Sequence, residues 1–254
     1  MDAELSRRAL DLSRRAEKYA APTATCFLTP AEQAELRAFC ARERDVNPVL
    51  RGGGAENDRC VAFFLPSWQE AEEPDISDFI AALEIKAAFG SPGHRDYLGA
   101  ILGLGVKRDC LGDIRVAGST AYLFCLASIA DFLCSNLESV GRCGVKVRRI
   151  ALSDVPPLER QYREVRFTVK SLRLDSVLAG AFGLSRSAAA AGIAQGLVSV
   201  NYLPCEKPDR TVAPGDVLAL RGRGKATVGE TGGRTRKDRQ FITVELWTDA
   251  PEKR

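Results

Sequence analysis

Histidine and methionine are nearly absent from this chain, which has one of each, His94 and Met1, in 254 residues. The eight cysteines lie at 26, 40, 60, 110, 125, 134, 143 and 205, with no CxxC pair. With one imidazole and no paired thiols, no Cys/His zinc framework can be written from local spacing, so neither a metal nor another cofactor is expected. Cys60, Cys125 and Cys134 lie in or beside apolar segments, where a reduced thiol behaves as a small core hydrophobe. Reduced cysteines in a reducing compartment are expected. No charge-free apolar run is long enough to cross a bilayer, so no membrane span is expected. Arg7, Arg8, Arg14, Arg15 and Lys18 are spread along the first twenty residues, and prolines and threonines break the neutral stretch Ala20–Ala31. That pattern does not suit a secretory signal, and a cytoplasmic location is expected.

What is present is ordinary globular protein, 45% apolar and 27% charged, with enough length for one large domain or two to three small ones. The net charge of +3 is unevenly distributed. Residues 1–155 carry a balance of −3, whereas 156–254 carry +6. A positive field confined to the C-terminal hundred residues suggests a polyanionic partner.

Leu5, Ala9, Leu12, Ala16 and Tyr19 recur at helical spacing and predict an N-terminal helix. Thr29, Pro30 and Glu32 form a capping-box start for a second helix reaching about Ala41, with Ala34, Leu36 or Phe39 partly buried. Val46–Leu50 and Cys60–Leu65 suit a hairpin or two neighbouring strands across a glycine loop. Glu70, Glu72, Glu73, Pro74, Asp75 and Asp78 mark an acidic surface loop with a boundary near residue 70.

Phe79–Phe89 is apolar but ambiguous between strand and helix. Asp96 is expected to cap a helix running to Leu102, and Ile114–Val116 and Ala121–Leu126 read as strands joined through Gly118-Ser119. Ser128 with Asp131 resembles a capping box opening a helix to about Val140, and Val145, Val147 and Ile150 read as a strand. If Phe79–Phe89 is a strand, the order is β-α-β-β-α-β, a ferredoxin-like, RRM-like arrangement.

Beyond Pro156-Pro157 the charged stretch Glu159–Glu164 reads as a connector, and the alternation of Val165, Phe167 and Val169 as a strand leading into the last domain. There Leu172, Leu174, Val177 and Leu178 predict a helix. Ser185 caps a second that stops at Gly196. Val198–Val200 and Val217–Leu220 read as strands, with Asn201–Pro208 a turn region and Pro214-Gly215-Asp216 a tight turn.

Leu172-Arg173-Leu174-Asp175-Ser176-Val177-Leu178 and Leu184-Ser185-Arg186-Ser187 resemble the opening of an S4 RNA-binding domain. The likeness continues through Ile193, Gln195, Gly196, Val198, Val200 and Asn201 to Pro214-Gly215-Asp216-Val217-Leu218-Ala219-Leu220-Arg221. His94-Arg95-Asp96-Tyr97-Leu98-Gly99, Gly103-Leu104-Gly105-Val106-Lys107-Arg108 and Leu111-Gly112-Asp113-Ile114 resemble the central segment of YlmH-like S4-domain proteins. Arg221-Gly222-Arg223-Gly224-Lys225 resembles their C-terminal extension.

The resemblance covers about residues 20–247 and implies a central RRM-like βαββαβ domain (75–155) and a C-terminal S4 domain of αL type (171–254), which with the N-terminal α+β subdomain (1–74) and the connector (156–170) read from the residues make an α+β protein. It implies binding of structured RNA, either rRNA or tRNA on the large ribosomal subunit. Family members are associated with rescue of stalled large subunits, with cell division, or with photosystem II.

Arg173 and Arg186 stand at the starts of the two S4 helices. A cation at a helix start opposes the helix dipole, and a phosphate contact supplies a reason for Arg186 there. Ser185 and the neighbouring N–H groups add donors. On this reading Arg186 can be removed without loss of stability. The alternatives are a salt bridge to Asp175, read as an organiser of a neighbouring arginine, and an ordinary solvated side chain.

Gln195 and Asn201 are candidates for sugar or base contacts, though Asn201 equally suits fixing its own turn. Arg221, Arg223 and Lys225 alternate with glycine, and Arg234, Arg236, Lys237 and Arg239 follow Gly232-Gly233. These C-terminal loops form the strongest basic feature, with Arg221, Arg223, Lys225, Arg236 and Lys237 as phosphate contacts and a solvated loop as the bland alternative. Relatives often carry lysine in the VxVN strand where this chain has Ser199, which shifts the charge toward those loops.

His94, Arg95, Lys107 and Arg108 form a candidate secondary contact. Gly103-Leu104-Gly105 lacks the rest of a GxGxxG fingerprint, and Cys110 has no activating motif beside it. A noncatalytic RNA-binding factor is therefore expected. The other classes are an S4-domain RNA-modifying enzyme and a protein-interaction adaptor in cell division or photosystem assembly.

Overall fold

The computed structural model describes residues 3–43, 46–54, 56–69, 75–157 and 161–248. It divides into two units, Met1–Leu158 and Glu159–Arg254. Both mix helices with antiparallel sheets, making this an α+β protein. No single helix among the described residues is long and apolar enough to cross a membrane. All eight cysteines are free thiols.

In the first unit α1 (Ala3–Tyr19) buries Ala9, Leu12 and Ala16, while Tyr19, expected on that face, is 62% exposed. A strand that the sequence did not announce, β1 (Thr23–Leu28), occupies the neutral stretch before α2 (Pro30–Cys40). The Thr29–Glu32 capping box forms in full, and Leu36 and Phe39 are buried while Ala34 is half-buried. β2 (Val49–Arg51) and β3 (Cys60–Phe64) complete a sheet of order β1-β3-β2. Its alternation separates Leu28, Ala62 and Phe64, packed with α1 and α2, from Phe27, Val61 and Phe63, packed with Ile80, Ala82 and Phe124 of the next sheet. Of the expected acidic loop, residues 70–74 lie outside the described residues.

The second sheet contains β4 (Ile80–Ala87), β5 (Leu111–Ala117), β6 (Thr120–Leu126), β7 (Ser139–Val140) and β8 (Cys143–Ile150) in the order β5-β6-β4-β8-β7. Helices α3 (His94–Gly103) and α4 (Ala127–Asn136) cover one face through Tyr97, Ile101, Ala130 and Leu133. The first sheet covers the other. β4 is thus buried on both sides, which is why Phe79–Phe89 showed no period-two alternation.

Two sequence-based cap assignments are corrected. Asp96 is the third residue of α3, not its cap, and its carboxylate accepts from the Gly93 N–H at 2.8 Å. The Ser128–Asp131 box does not form, because α4 begins at Ala127 with Leu126 at the cap, and it ends at Asn136 rather than near Val140.

The second unit has one six-stranded antiparallel sheet with two helices packed into the same core. In chain order these are β9 (Gln161–Val169), α5 (Leu174–Phe182), α6 (Arg186–Ala194), β10 (Val198–Val200), β11 (Leu203–Pro204), β12 (Val217–Leu220), β13 (Gly224–Arg234) and β14 (Gln240–Thr248). The sheet order is β11-β10-β12-β13-β14-β9.

Two expectations change here. Residues 161–164, read as connector, belong to β9, which pairs with β14 over nine residues from Gln161↔Thr248 to Val169↔Gln240. The basic C-terminal loops are largely a hairpin of the sheet's two longest strands together with β9. Glycines disguised β13 as loop. A Cβ at Gly229 would lie 2.9 Å from the Thr243 carbonyl oxygen, so the missing side chain permits close approach where the register is irregular.

Candidate nucleic-acid interface

The starts of α5 and α6 converge on one carboxylate. Asp175, in the first turn of α5, is only 4% exposed yet charged partners surround it. Arg173, the N-cap of α5, donates from Nε at 3.3 Å and Nη2 at 3.1 Å. Arg186, the first residue of α6, donates from Nε at 3.2 Å and Nη2 at 3.1 Å, and Ser176 adds its hydroxyl at 3.1 Å. Burial raises the Asp175 pKa, but donation from Arg173, Arg186 and Ser176 outweighs it and holds the carboxyl below its ordinary value.

Two guanidiniums on one carboxylate leave a net positive charge, and the Arg186 side chain remains 60% exposed. Ser185 caps α6 by accepting from the Ala188 N–H at 3.1 Å. Arg186 therefore has a structural partner. The salt bridge weighed as an alternative is present, and the reading of Arg186 as free of any structural role is corrected.

The remaining candidate cations fall at two ends of the sheet. Arg236 and Lys237 occupy the exposed β13–β14 turn, beside the Arg234↔Gln240↔Val169 end that leads into Arg173. Arg239 ties that turn down through its donation from Nε to Thr168 Oγ1 at 3.0 Å. Arg221, Arg223 and Lys225 lie at the opposite end, around the β12–β13 turn. Gln195 ends α6 there, about 13 Å along the helix from Arg186, so these two are not brought together.

The Asn201 side chain is engaged with the protein itself. Its Nδ2 donates to Asp216 Oδ1 at 2.8 Å, and its Oδ1 accepts from the Val217 N–H at 2.9 Å. It fixes a tight turn in which Asn201 and Tyr202 both have positive φ, 52° and 67°. For Tyr202 that conformation costs on the order of 1–2 kcal/mol.

The central candidates separate. His94 and Arg95 open α3 and are exposed, as is Lys107. Arg108 turns inward, donating from Nη1 to the Leu111 carbonyl at 2.8 Å. Although the residue as a whole is exposed, partial loss of water around the ring, and then the Arg108 charge, hold the His94 imidazole below its ordinary pKa.

The motif residues nearby are architectural. Asp113 accepts from the Asp58 N–H at 2.6 Å and the Arg59 N–H at 3.2 Å. A Cβ at Gly112 would stand 2.7 Å from the Phe27 ring. Arg59, which the sequence did not single out, is 9% exposed and bridges the two sheets through the Leu111 and Phe27 carbonyls, both at 2.9 Å. Sequence reading also missed Tyr202 and Trp247, which flank Lys225 on the second unit's sheet, and Tyr162, which meets Trp247 edge-on. The alternation of Phe241, Thr243, Glu245 and Trp247 with apolar residues was the available signal for β14. Among the described residues no group of three or more His, Cys, Asp or Glu could hold a metal ion.

Comparison with known proteins agrees with this architecture. A family model described as "Putative RNA-binding domain in YlmH" matches residues 74–154, and the S4 domain model matches 172–218. The ribosome-associated protein quality control protein P2 of Bacillus subtilis (strain 168) is 34% identical over 242 residues, 94% of this chain and 92% of that protein. The solved structure of the cell division protein ylmH from Streptococcus pneumoniae is similar in fold, with a TM-score of 0.50 at 19% identity, covering 60% of this chain and 93% of that one. With a relative this similar across nearly its whole length, the chain belongs to the YlmH-like family of S4-domain RNA-binding proteins.

Proposed function

We propose that this protein is a noncatalytic RNA-binding factor of the cytoplasm that associates with the large ribosomal subunit through rRNA or bound tRNA. The observation that carries the reading is the pairing of Arg173 and Arg186 on the buried Asp175 carboxylate at two helix starts. Holding two guanidiniums in place before binding reduces the ordering cost of a phosphate contact. The exposed Arg236 and Lys237 at the same end of the sheet extend the positive surface. We read Ser185, Arg221, Arg223 and Lys225 as further contacts, with His94, Arg95 and Lys107 as a secondary set. Asn201 and Arg108 act by fixing local structure, and Gln195 belongs with the Arg221 end.

We also read residues 75–155 as a ferredoxin-like, RRM-like domain following an N-terminal subdomain of residues 1–74, with the S4 domain completed by the hairpin β13–β14. The order β5-β6-β4-β8 with α3 and α4 on one face supports the central assignment. Association with the ribosome is supported by the similarity to the Bacillus subtilis protein.

Sedimentation of the full chain with purified large ribosomal subunits tests the reading. Cosedimentation that weakens with salt, and that is lost on deleting residues 159–254, is expected. Failure to cosediment even at low salt overturns ribosome association. Partner capture insensitive to ribonuclease points instead to a protein adaptor.

A further inference from the structure

The face of the C-terminal sheet turned away from its core carries a straight cross-strand row. Pro204 pairs with Ser199, Ser199 with Ala219, and Ala219 with Lys225. Extending the Ala226↔Leu246 register by one residue sets Trp247 opposite Lys225, and Trp247 pairs with Tyr162. Side chains in register across antiparallel strands share a face. These alternate with the buried Val198, Val200, Leu218, Leu220, Ala226 and Leu246, so the row lies opposite the core.

One half of the row is small and the other aromatic. Ser199, Pro204 and Ala219, with Gly222 and Gly224, line an open groove of about 420 Å³ flanked by Arg221 and Lys225. That volume is at the small end of ligand sites, with room for a nucleotide but not a duplex. Beyond it Lys225 Nζ stands 5.2 Å from the Tyr202 ring centroid and 4.9 Å from that of Trp247. Tyr162, 44% exposed, meets Trp247 edge-on at 6.3 Å. A lysine held between two rings keeps its charge while losing the rotamer freedom it would otherwise surrender on binding.

Tyr202 supplies an independent observation. At φ 67° it holds a backbone conformation that L side chains rarely adopt, in a turn where asparagine or glycine fits without strain. A tyrosine there gives Lys225 an aromatic wall that asparagine or glycine would not supply. A strained residue set against a half-buried cation is the kind of backbone outlier that clusters at ligand sites.

We propose that this groove binds an unpaired segment of RNA. The sugar–phosphate backbone crosses the small-residue floor, a phosphate sits on Lys225 and Arg221, and a base stacks at the Trp247–Tyr162 edge. Glu164 and Glu245, paired opposite each other one outward position further along β9 and β14, repel phosphate and confine the strand to the Lys225 side. This rests on the RNA-binding reading above and adds a second surface, distinct from the arginines at Asp175, with single-stranded ligand.

The chain has two tryptophans, and the 68%-exposed Trp68 can be changed to phenylalanine so that Trp247 alone reports. The full-length Trp68→Phe protein is titrated with oligouridine of about a dozen nucleotides, and in parallel with an RNA hairpin that is all duplex stem. Oligouridine should change Trp247 emission saturably. Lys225→Met should weaken oligouridine binding about tenfold while hairpin affinity changes less than about threefold. Tyr202→Asn should raise the unfolding midpoint by relieving the turn yet weaken oligouridine binding, a combination that a purely structural tyrosine would not give. Unchanged Trp247 emission, with equal oligouridine affinity in native, Lys225→Met and Tyr202→Asn proteins and intact hairpin binding, overturns the groove and leaves the general reading standing. Binding of neither RNA overturns both.

Discussion

A carboxylate with 6% of its side chain exposed stays ionised only when its partners compensate for lost water, and at Asp175 those partners are Arg173, Arg186 and Ser176. Arg186→Ala removes one partner and leaves Arg173 in place, so a loss of about 1 kcal/mol of stability is expected, read as a lower unfolding midpoint. RNA affinity should fall further than that loss explains, because the exposed guanidinium also leaves the binding surface. An unchanged midpoint would show that the pair contributes nothing. The same carboxylate sets a pH dependence. Its folded pKa is depressed, so its contribution is present above the unfolded value of about 3.9 and is lost as pH falls through the folded value. The advantage of the native protein over Asp175→Asn should therefore be constant near neutrality and shrink below about pH 4, measured by urea unfolding at several pH values. Both arginines and Asp175 were visible in the sequence, with a salt bridge to Asp175 among the open readings. That both guanidiniums share this one carboxylate depends on how α5 and α6 pack.

Elements with a local chemical signature were legible, and those defined by distant partners were not. Thr29, Pro30 and Glu32 mark the start of α2 with adjacent residues, and Ser185 does the same for α6. By contrast β1 has no alternation of polar and apolar residues, because α1 and α2 bury Leu28 while the second sheet buries Phe27. β13 was hidden by glycines that serve its contact with β14. Glycine also decides how α5 sits on β9. A Cβ at Gly180 would lie 2.2 Å from the Phe167 ring. Helix propensity favours alanine there by about 1 kcal/mol, while overpacking costs about 1–3 kcal/mol. The clash should win, so Gly180→Ala is expected to lower the midpoint of the C-terminal unit. Phe167→Leu should be less harmful in the Gly180→Ala background than alone, and additive effects in that double-mutant cycle would refute direct packing.

At the scale of the molecule, two clusters of basic side chains mark opposite ends of the C-terminal sheet. Arg223 and Lys225 stand at one, Arg236 and Lys237 at the other, about 30 Å apart along β13. A single RNA that engages both must run the length of the hairpin, whereas one that engages a single end leaves the other as bystander charge. Salt dependence distinguishes the two, because each phosphate neutralised on duplex RNA contributes close to one unit of logarithmic slope, and less on a single strand. Neutralising Arg223 and Lys225 together should lower the slope for large-subunit rRNA by up to about 2, and neutralising Arg236 and Lys237 should do the same. If one RNA spans the sheet, the quadruple variant loses the sum, about 4 on duplex. If only the Arg236 end binds duplex, the Arg223–Lys225 pair changes the slope for unpaired RNA and leaves the duplex slope untouched. Titrations of all three variants across a salt series, on one duplex and one single-stranded RNA, separate these outcomes. Identical slopes in every variant would show that the positive field is not the source of affinity.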